Sequence, residues 1–235
     1  MKKIIFLCVW LWVMALEGAY SQEAETADTL VVEGIAGVRE AVTDPSSPYY
    51  FPSLMERYLD RDTAFTAEEY RYLYIGYSFQ EDYDPYRVSP YLQALDTLYR
   101  RPQHTVEECA LLIRYAERAL ADDPFDLRRM SVLVYANDLL DQPEEASFWQ
   151  ERIHGLLGAI LSTGDGTSPE TAWYIISPTH AFDLLNTWGV VAEAYDFFPP
   201  CYDYIQVYDL IGDAQGYYFN VERIFEEYRR KFEGQ

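Results

Sequence analysis

The chain has 235 residues, and its 18 Lys and Arg against 39 Asp and Glu give a formal charge of −21 at pH 7. This length suits one globular domain with a sizeable core. The negative charge excludes nucleic acids and anionic membrane surfaces as direct partners, because both would repel the protein. Cations and basic partners are compatible with it, and so is an acidic surface that only meets water.

The first residues have the pattern of a secretory signal peptide. Positive residues 2–3 precede an uncharged apolar run at 4–16, and Ala19 and Ser21 are small residues at signal-peptidase spacing. We therefore expect cleavage before Gln22 and a periplasmic or secreted protein. The apolar run is too short for a membrane span, which takes roughly 20 residues, and this disfavours an uncleaved anchor. Because no comparable run follows, the mature chain is predicted to be soluble, with no membrane span.

Helix and turn signals divide the chain into four predicted parts. Residues 1–21 form the signal peptide, and 22–48 form an acidic leader with a first helix near 30–42. A helical region follows at 49–163, and an α+β region at 164–235 is expected to pack on it as one globular unit.

The helical region carries repeated helix-start signals. A serine or threonine followed three residues later by glutamate is a capping box, in which both side chains satisfy free backbone N–H groups. A polar cap before a proline in the first helical position has the same meaning. On these grounds we predict helix starts at Ser53, Thr66, Ser89, Thr105 and Asp141.

Apolar residues recur at helical spacing within these segments. Small residues before Pro124 are typical of the end of a tetratricopeptide-type repeat, but the signature does not recur at the repeat length of about 34 residues. The pattern therefore predicts helix hairpins rather than a repeat array. The stripes are Tyr70, Leu73, Tyr74 and Tyr77; Cys109, Leu112, Ala116 and Leu120; and Ala146, Trp149, Ile153, Leu156 and Ile160.

The pattern changes after Gly164, where short strands alternate with turns. The predicted fold is α+β and mainly α: helical hairpins, weakly tetratricopeptide-like, followed by a small antiparallel β-sheet with two flanking helices. The predicted elements are strands at 173–176, 190–195, 201–208 and 217–219, a tight hairpin at 211–214, a short helix between Ser177 and Gly189, and a last helix capped by Asn220.

The sequence leaves the state of the two cysteines of the mature chain open. An oxidising compartment would allow Cys109 and Cys201 to form a disulfide. Cys109 also lies on an apolar helical stripe, which favours a buried free thiol.

Three segments of the mature chain carry a family resemblance. They are 51–58 continuing to 66–77, then 80–86, and then 162–172 with its Gly-Asp-Gly-Thr turn. Together they resemble an uncharacterised family of exported Bacteroidetes proteins, filed as a domain of unknown function. The resemblance implies a Gram-negative envelope or secreted location, and it implies no activity and no catalytic residues.

The turn after residue 164 groups two carboxylates with hydroxyls. Asp165, Ser168 and Glu170 are compatible with a hydrolytic or cation-binding site, and His180 could activate Ser168 only if the fold brings the two together. The structural alternative is an Asp-Gly turn, with a hydroxyl capping the next element and Glu170 completing a capping box.

Asp82 and Asp84 are the candidate metal ligands, because hard carboxylate oxygens at this spacing suit calcium. Their pattern is not an EF-hand, and turn carboxylates that act as caps are the favoured alternative. Glu151 and His154 have the spacing of a di-iron ligand pair, but that chemistry needs the motif twice. We therefore expect no cofactor.

Tyrosine is unusually frequent, with 22 residues in the chain. Tyrosine is enriched at binding surfaces, and aromatic rings can stack on sugars. Packing in the core is the alternative, and it fits the tyrosines of the helical stripe best. The tyrosines on one face of the strand at 201–208 remain candidates for binding: Tyr202, Tyr204 and Tyr208.

These observations favour a non-enzymatic binding or interaction module of the bacterial cell envelope, with an unknown protein or glycan ligand. The alternative is a hydrolase-type enzyme with its site near Asp165, Ser168 and Glu170. A deep pocket that gathers these residues with a histidine would favour the enzyme, and an exposed tyrosine surface without one would favour binding.

Overall fold

A computed structural model describes residues 34–208 and 214–233. The predicted signal peptide, the leader at 22–30 and most of the predicted hairpin at 211–214 lie outside these residues. Nine α-helices occur within them, and short 3-10 and π turns flank the sheet. The helices are α1 Gly34–Thr43, α2 Phe51–Leu59, α3 Ala67–Tyr77, α4 Leu92–Tyr99, α5 Val106–Asp122, α6 Leu127–Leu139, α7 Pro143–Leu161, α8 His180–Thr187 and α9 Glu222–Tyr228.

Two of the predicted capping boxes are confirmed. The backbone N–H of Glu69 donates to the Thr66 hydroxyl over 3.1 Å, and the Thr66 N–H donates back to the Glu69 carboxylate over 2.8 Å. Thr105 and Glu108 form the same reciprocal pair at the start of α5. Each box satisfies N–H groups that the first helical turn leaves without an internal acceptor. These local signals therefore place the starts of α3 and α5 correctly.

The predicted start at Ser53 is wrong, because α2 already begins at Phe51. Pro52 explains the earlier start: its fixed φ suits the first helical turn, and its missing N–H needs no acceptor there. Ser53 therefore lies inside the helix.

The predicted caps at Ser89 and Asp141 are also wrong. Ser89 precedes α4 by a turn, in which the Leu92 N–H donates to the Ser89 carbonyl over 3.2 Å. Asp141 has a φ of +56°, in the left-handed region that ends the preceding helix. Gln142 therefore takes the cap position before Pro143, which is the first residue of α7.

The four strands form one mixed sheet in the order β1-β4-β3-β2. Its antiparallel part is confirmed, since β3 pairs antiparallel with both β2 and β4. The prediction of a purely antiparallel sheet is wrong for β1, which runs parallel to β4. The chain reaches β4 only after α8, β2 and β3, and it arrives beside β1 in the same direction. The strands are β1 Trp173–Tyr174, β2 Val191–Phe198, β3 Tyr202–Tyr208 and β4 Ala214–Asn220.

Helices and sheet share one continuous hydrophobic core. Residues of α3 and α7, the buried strand β1 and the inner face of β3 and β4 all contribute to it. The tyrosines of the α3 stripe pack into this core, as the structural interpretation predicted: Tyr74 and Tyr77 are buried, and the ring of Tyr70 lies where a Cβ on Gly155 of α7 would be. Glycine at this position lets α3 approach α7 closely. The fold is therefore α+β and mainly α, in agreement with the sequence.

Cys109 and Cys201 are both free and buried. The buried-thiol interpretation is thus correct, and the disulfide alternative does not apply. Burial raises the pKa of both thiols, and nearby carboxylates add to the effect. Among the described residues, no helix combines the length and the apolar character that crossing a membrane requires.

We expect Thr105→Ala to lower the free energy of unfolding by about 1 kcal/mol, because the helix loses a capping hydrogen bond. Ser53→Ala, inside α2, is the matched control. It should change stability by less than about 0.5 kcal/mol or raise it slightly, since alanine is the better helix former. Urea unfolding followed by circular dichroism measures both. An equal loss in the two variants would contradict the assigned start of α2.

Candidate functional site

The loop that contains Asp165 joins the helical layer to the sheet. The Gly166 N–H donates to the Thr171 carbonyl over 2.8 Å, and the Tyr218 N–H of β4 donates to the Gly166 carbonyl over 2.8 Å. The indole of Trp173 donates to the Gly164 carbonyl over 2.8 Å. A Cβ on Gly164 would lie 2.1 Å from a backbone oxygen, so the close approach requires glycine. The loop is therefore held by an internal backbone hydrogen bond, by one from β4 and by one from the Trp173 side chain.

Asp165 uses one carboxylate oxygen to organise this loop. Its Oδ1 accepts from the Thr171 hydroxyl over 2.6 Å, from the Thr167 hydroxyl over 2.7 Å and from the Thr167 N–H over 2.9 Å. These hydrogen bonds, the one from Thr171 first, lower the pKa of Asp165. The carboxylate is thus stabilised as an anion and serves as the acceptor at the centre of a turn.

Ser168 and Glu170 belong to the short 3-10 turn that follows. The Ser168 side chain accepts from the Thr171 N–H over 3.3 Å and lies 3.2 Å from the Thr171 hydroxyl. Glu170 is exposed, and its own backbone N–H and the Ser168 hydroxyl lower its pKa. The structure thus brings Asp165 and Ser168 together through Thr171, in the arrangement that the turn interpretation predicts.

His180 lies in the core, with both ring nitrogens occupied. The Tyr74 hydroxyl accepts from the Ile176 N–H over 3.2 Å, so its proton points to Nδ1 of His180 over 2.7 Å. Nε2 of His180 lies 3.1 Å from the Phe125 carbonyl, to which it donates. The ring is therefore neutral with its proton on Nε2, and it is not available to activate Ser168.

Asp82 and Asp84 lie in a turn and are used there. Asp84 pairs with Lys231 over 2.8 Å and accepts from the Tyr86 N–H over 3.0 Å. Partial burial opposes its ionisation, but these two partners outweigh it and the pKa of Asp84 is lowered. The backbone carbonyl of Asp82 accepts from Arg87. Within 34–208 and 214–233, no group of three or more His, Cys, Asp or Glu has the arrangement of a metal site.

Tyr202, Tyr204 and Tyr208 lie on the face of β3 opposite Ile205 and Val207 of the core, as the alternation predicted. We call this the open face. Tyr204 packs against Tyr218 of β4, with ring centroids 4.8 Å apart. Its ring covers Gly216, where a Cβ would lie 2.0 Å from its hydroxyl. Tyr204 is thus partly a packing residue.

The other two tyrosines of the open face differ in exposure. Tyr202 is half-buried, and Tyr208 at the end of the strand is 39% exposed. Hydrogen bonding to Glu193 of β2 raises the pKa of Tyr208 further above neutral pH. Of the three predicted binding residues, Tyr208 is the one most accessible to a ligand.

Sequence reasoning missed the exposure and the last three residues of β2, which forms the edge of the sheet beside the open face. All eight of its residues are exposed. The predicted strand at 190–195 stops three residues early and omits two phenylalanines. The missed signal is the pair Phe197 and Phe198 directly before Pro199-Pro200, which suits a strand that continues to the prolines and ends there. Its large exposed side chains are Val191 69%, Tyr195 56%, Phe197 40% and Phe198 41%.

Two surface clefts lie elsewhere on the molecule. One, of about 530 Å³, lies between α4, α6, α7 and α8, and four of its charged side chains form ion pairs: Arg128 with Asp183 over 2.7 Å, and Arg129 with Asp96 over 2.5 Å. The other, of about 460 Å³, follows the apolar side of α2. Neither is lined by the predicted catalytic residues of the loop.

The position of His180 makes the free energy of unfolding depend on pH. Burial lowers the pKa of His180 to about 4 from an ordinary value of 6.5. As the pH falls, His180 therefore binds a proton in the unfolded chain before it does so in the folded chain. The stabilisation present above pH 6.5 is lost as the pH falls towards 4. We expect a loss of roughly 3 kcal/mol from this group.

Asp123 opposes this effect. Burial raises its pKa to about 6 from 3.8, so its carboxylate destabilises the fold as the pH rises through that range. Urea unfolding at pH 7 and pH 4.5 should thus show a steeper acid loss in Asp123→Asn than in the wild type, and a shallower one in His180→Gln. The same acid loss in His180→Gln and in the wild type would contradict the assignment.

The family of the chain follows from its comparison with known proteins. Residues 36–230 match the model of a domain of unknown function, DUF4919. No curated protein and no solved structure matches the chain. The match covers every described helix and strand from the first turn of α1 to α9, together with the loop at Asp165 and the open face. The chain therefore belongs to the DUF4919 family, a family of domains of unknown function.

Proposed function

We propose that the protein is a non-enzymatic binding module of the bacterial cell envelope whose ligand, a protein or a glycan, docks at the sheet end of the molecule. The observation that carries the proposal is the exposure of β2 together with the open face. Of the large hydrophobic side chains that the described residues expose, half lie on β2, at the end of β3 or on the C-terminal helix next to them. Such a concentration marks interaction surfaces in soluble proteins.

The location in the envelope rests on the sequence. The N-terminal pattern of a signal peptide and the resemblance to exported Bacteroidetes proteins both support export. The acidic composition fits a ligand that is neutral or basic, because an anionic ligand would be repelled.

The hydrolase alternative receives no support from the described residues around Ser168. The Ser168 hydroxyl caps a turn, and Asp165 accepts three hydrogen bonds within that turn. The nearest candidate base by sequence, His180, is held in the core by Tyr74 and Phe125. A nucleophile needs an adjacent base that can take its proton, and here the serine and the histidine contact different groups.

Tyr208→Ala should weaken ligand binding about five- to thirtyfold if the open face carries the ligand, since an aromatic anchor at an interface contributes about 1–2 kcal/mol. Tyr99→Ala is the matched control, because Tyr99 is 40% exposed against 39% for Tyr208 and lies on α4, away from the sheet. The measurement is retention of the full chain on an oligosaccharide array and on a peptide array.

If Tyr208→Ala and Tyr99→Ala weaken ligand binding equally, the result would contradict a site on the open face. Retention by neither array in the wild type would contradict the binding module itself. Circular dichroism of each variant separates a loss of binding from a loss of fold.

A further inference from the structure

Among the described residues, β2 forms an open edge of the sheet. No other strand in 34–208 or 214–233 pairs with its outer side, so a row of backbone N–H and C=O groups faces solvent there. Natural edge strands are usually short, covered by another element or interrupted. The opposite edge follows this rule, since β1 has only two residues and both are buried. β2 follows it only in part: a bulge interrupts the strand between Ala192 and Ala194, but all eight of its residues are exposed and 194–198 keep a regular register with β3.

Aromatic rings flank this edge on both faces of the sheet. On the open face, Phe198 of β2 packs on Tyr204 and Tyr218, with ring centroids 5.8 and 5.7 Å apart. On the opposite face, Phe197 contacts Phe225 of α9 at 5.4 Å, and Tyr228 follows along the same helix. A strand added beside β2 would therefore cover apolar surface on both of its faces.

The charge of the edge decides which occupant fits. β2 carries two carboxylates, Glu193 and Asp196, and no basic residue. A second copy of the chain would bring the same carboxylates, and a second formal charge of −21, against this edge. Like charges opposite each other destabilise strand pairing, whereas lysine or arginine on an incoming strand would pair with them. Arg229, the residue that follows α9, lies over the ring of Phe225, 4.9 Å from its centroid.

We infer that β2 takes up an extended segment of a partner protein that alternates Lys or Arg with apolar residues, and that this segment pairs with it as a fifth strand. The inference rests on the proposed binding function and names the partner class and the mode. The backbone hydrogen bonds of the added strand give affinity. Its basic side chains lie on the side of Asp196, and its apolar side chains lie on the side of Tyr195 and Phe197, because side chains alternate along β2.

The probe is an acetylated and amidated heptapeptide that alternates lysine and valine, and binding to the full chain is measured by calorimetry. Two isomers carry N-methyl groups, one on every lysine and the other on every valine. In a paired strand only alternate N–H groups point to the neighbour. We therefore expect one isomer to lose binding and the other to keep it. Hydrogen exchange should show the bound peptide protecting amides within 191–198.

Two comparisons test the charge argument. A heptapeptide that alternates glutamate and valine should not bind. Asp196→Asn should weaken binding of the lysine peptide about two- to fivefold, as expected for one exposed ion pair. Asp138→Asn, which removes an equal charge from an exposed site on α6, should leave the affinity unchanged.

Three results would overturn the inference. They are equal binding of the two N-methylated isomers, protection only outside β2, and a concentration-dependent doubling of mass, which would assign the edge to a second copy. If the lysine peptide does not bind, but the oligosaccharide array retains the wild type and Tyr208→Ala weakens this retention, strand addition is wrong and the proposed binding module stands. If the peptide does not bind and neither array retains the wild type, the proposed function is wrong as well.

Discussion

The hydroxyl of Tyr74 holds together parts of this fold that lie 102 and 106 residues apart in the sequence. It accepts from the backbone at Ile176 and donates to His180, which in turn donates to the carbonyl of Phe125. This chain of hydrogen bonds joins α3, the segment after β1, the start of α8 and the connection before α6. All of its members are buried, and a buried polar group without a partner would cost far more than its hydrogen bond contributes. The packing around Tyr74 is therefore specified by complete pairing of its polar groups.

This arrangement fixes one side of the sheet and leaves the other side free. β1 lies against the helical layer, where Tyr174 donates its N–H to the Thr163 hydroxyl over 2.8 Å and its ring hydroxyl lies 3.1 Å from that of Ser78. From there the sheet extends outward through β4 and β3 to β2, which forms the edge. Exposure at β2 thus follows from the strand order rather than from an unusual local sequence.

The sequence predicted the features that depend on neighbouring residues. The capping boxes at Thr66 and Thr105, the alternation along β3 and the mainly α composition all belong to this group. It failed where one local signal overrode another, as when Pro52 started α2 before Ser53. It also failed where distant segments meet: the parallel pairing of β1, the exposure of β2 and the partners of His180, which lie 55 and 106 residues away in the chain. The turn at Asp165 could be interpreted in advance because all three of its donors lie within six residues.

The two free thiols have a consequence for how the molecule moves. Cys109 lies in the helical core and Cys201 at the base of the sheet, and each becomes reactive only when its surroundings open, since burial suppresses the thiolate. Their alkylation rates in the native state would therefore record two separate opening events. A faster rate at Cys201 would mean that the sheet detaches and re-forms while the helices stay folded, and equal rates would mean that the whole domain opens at once.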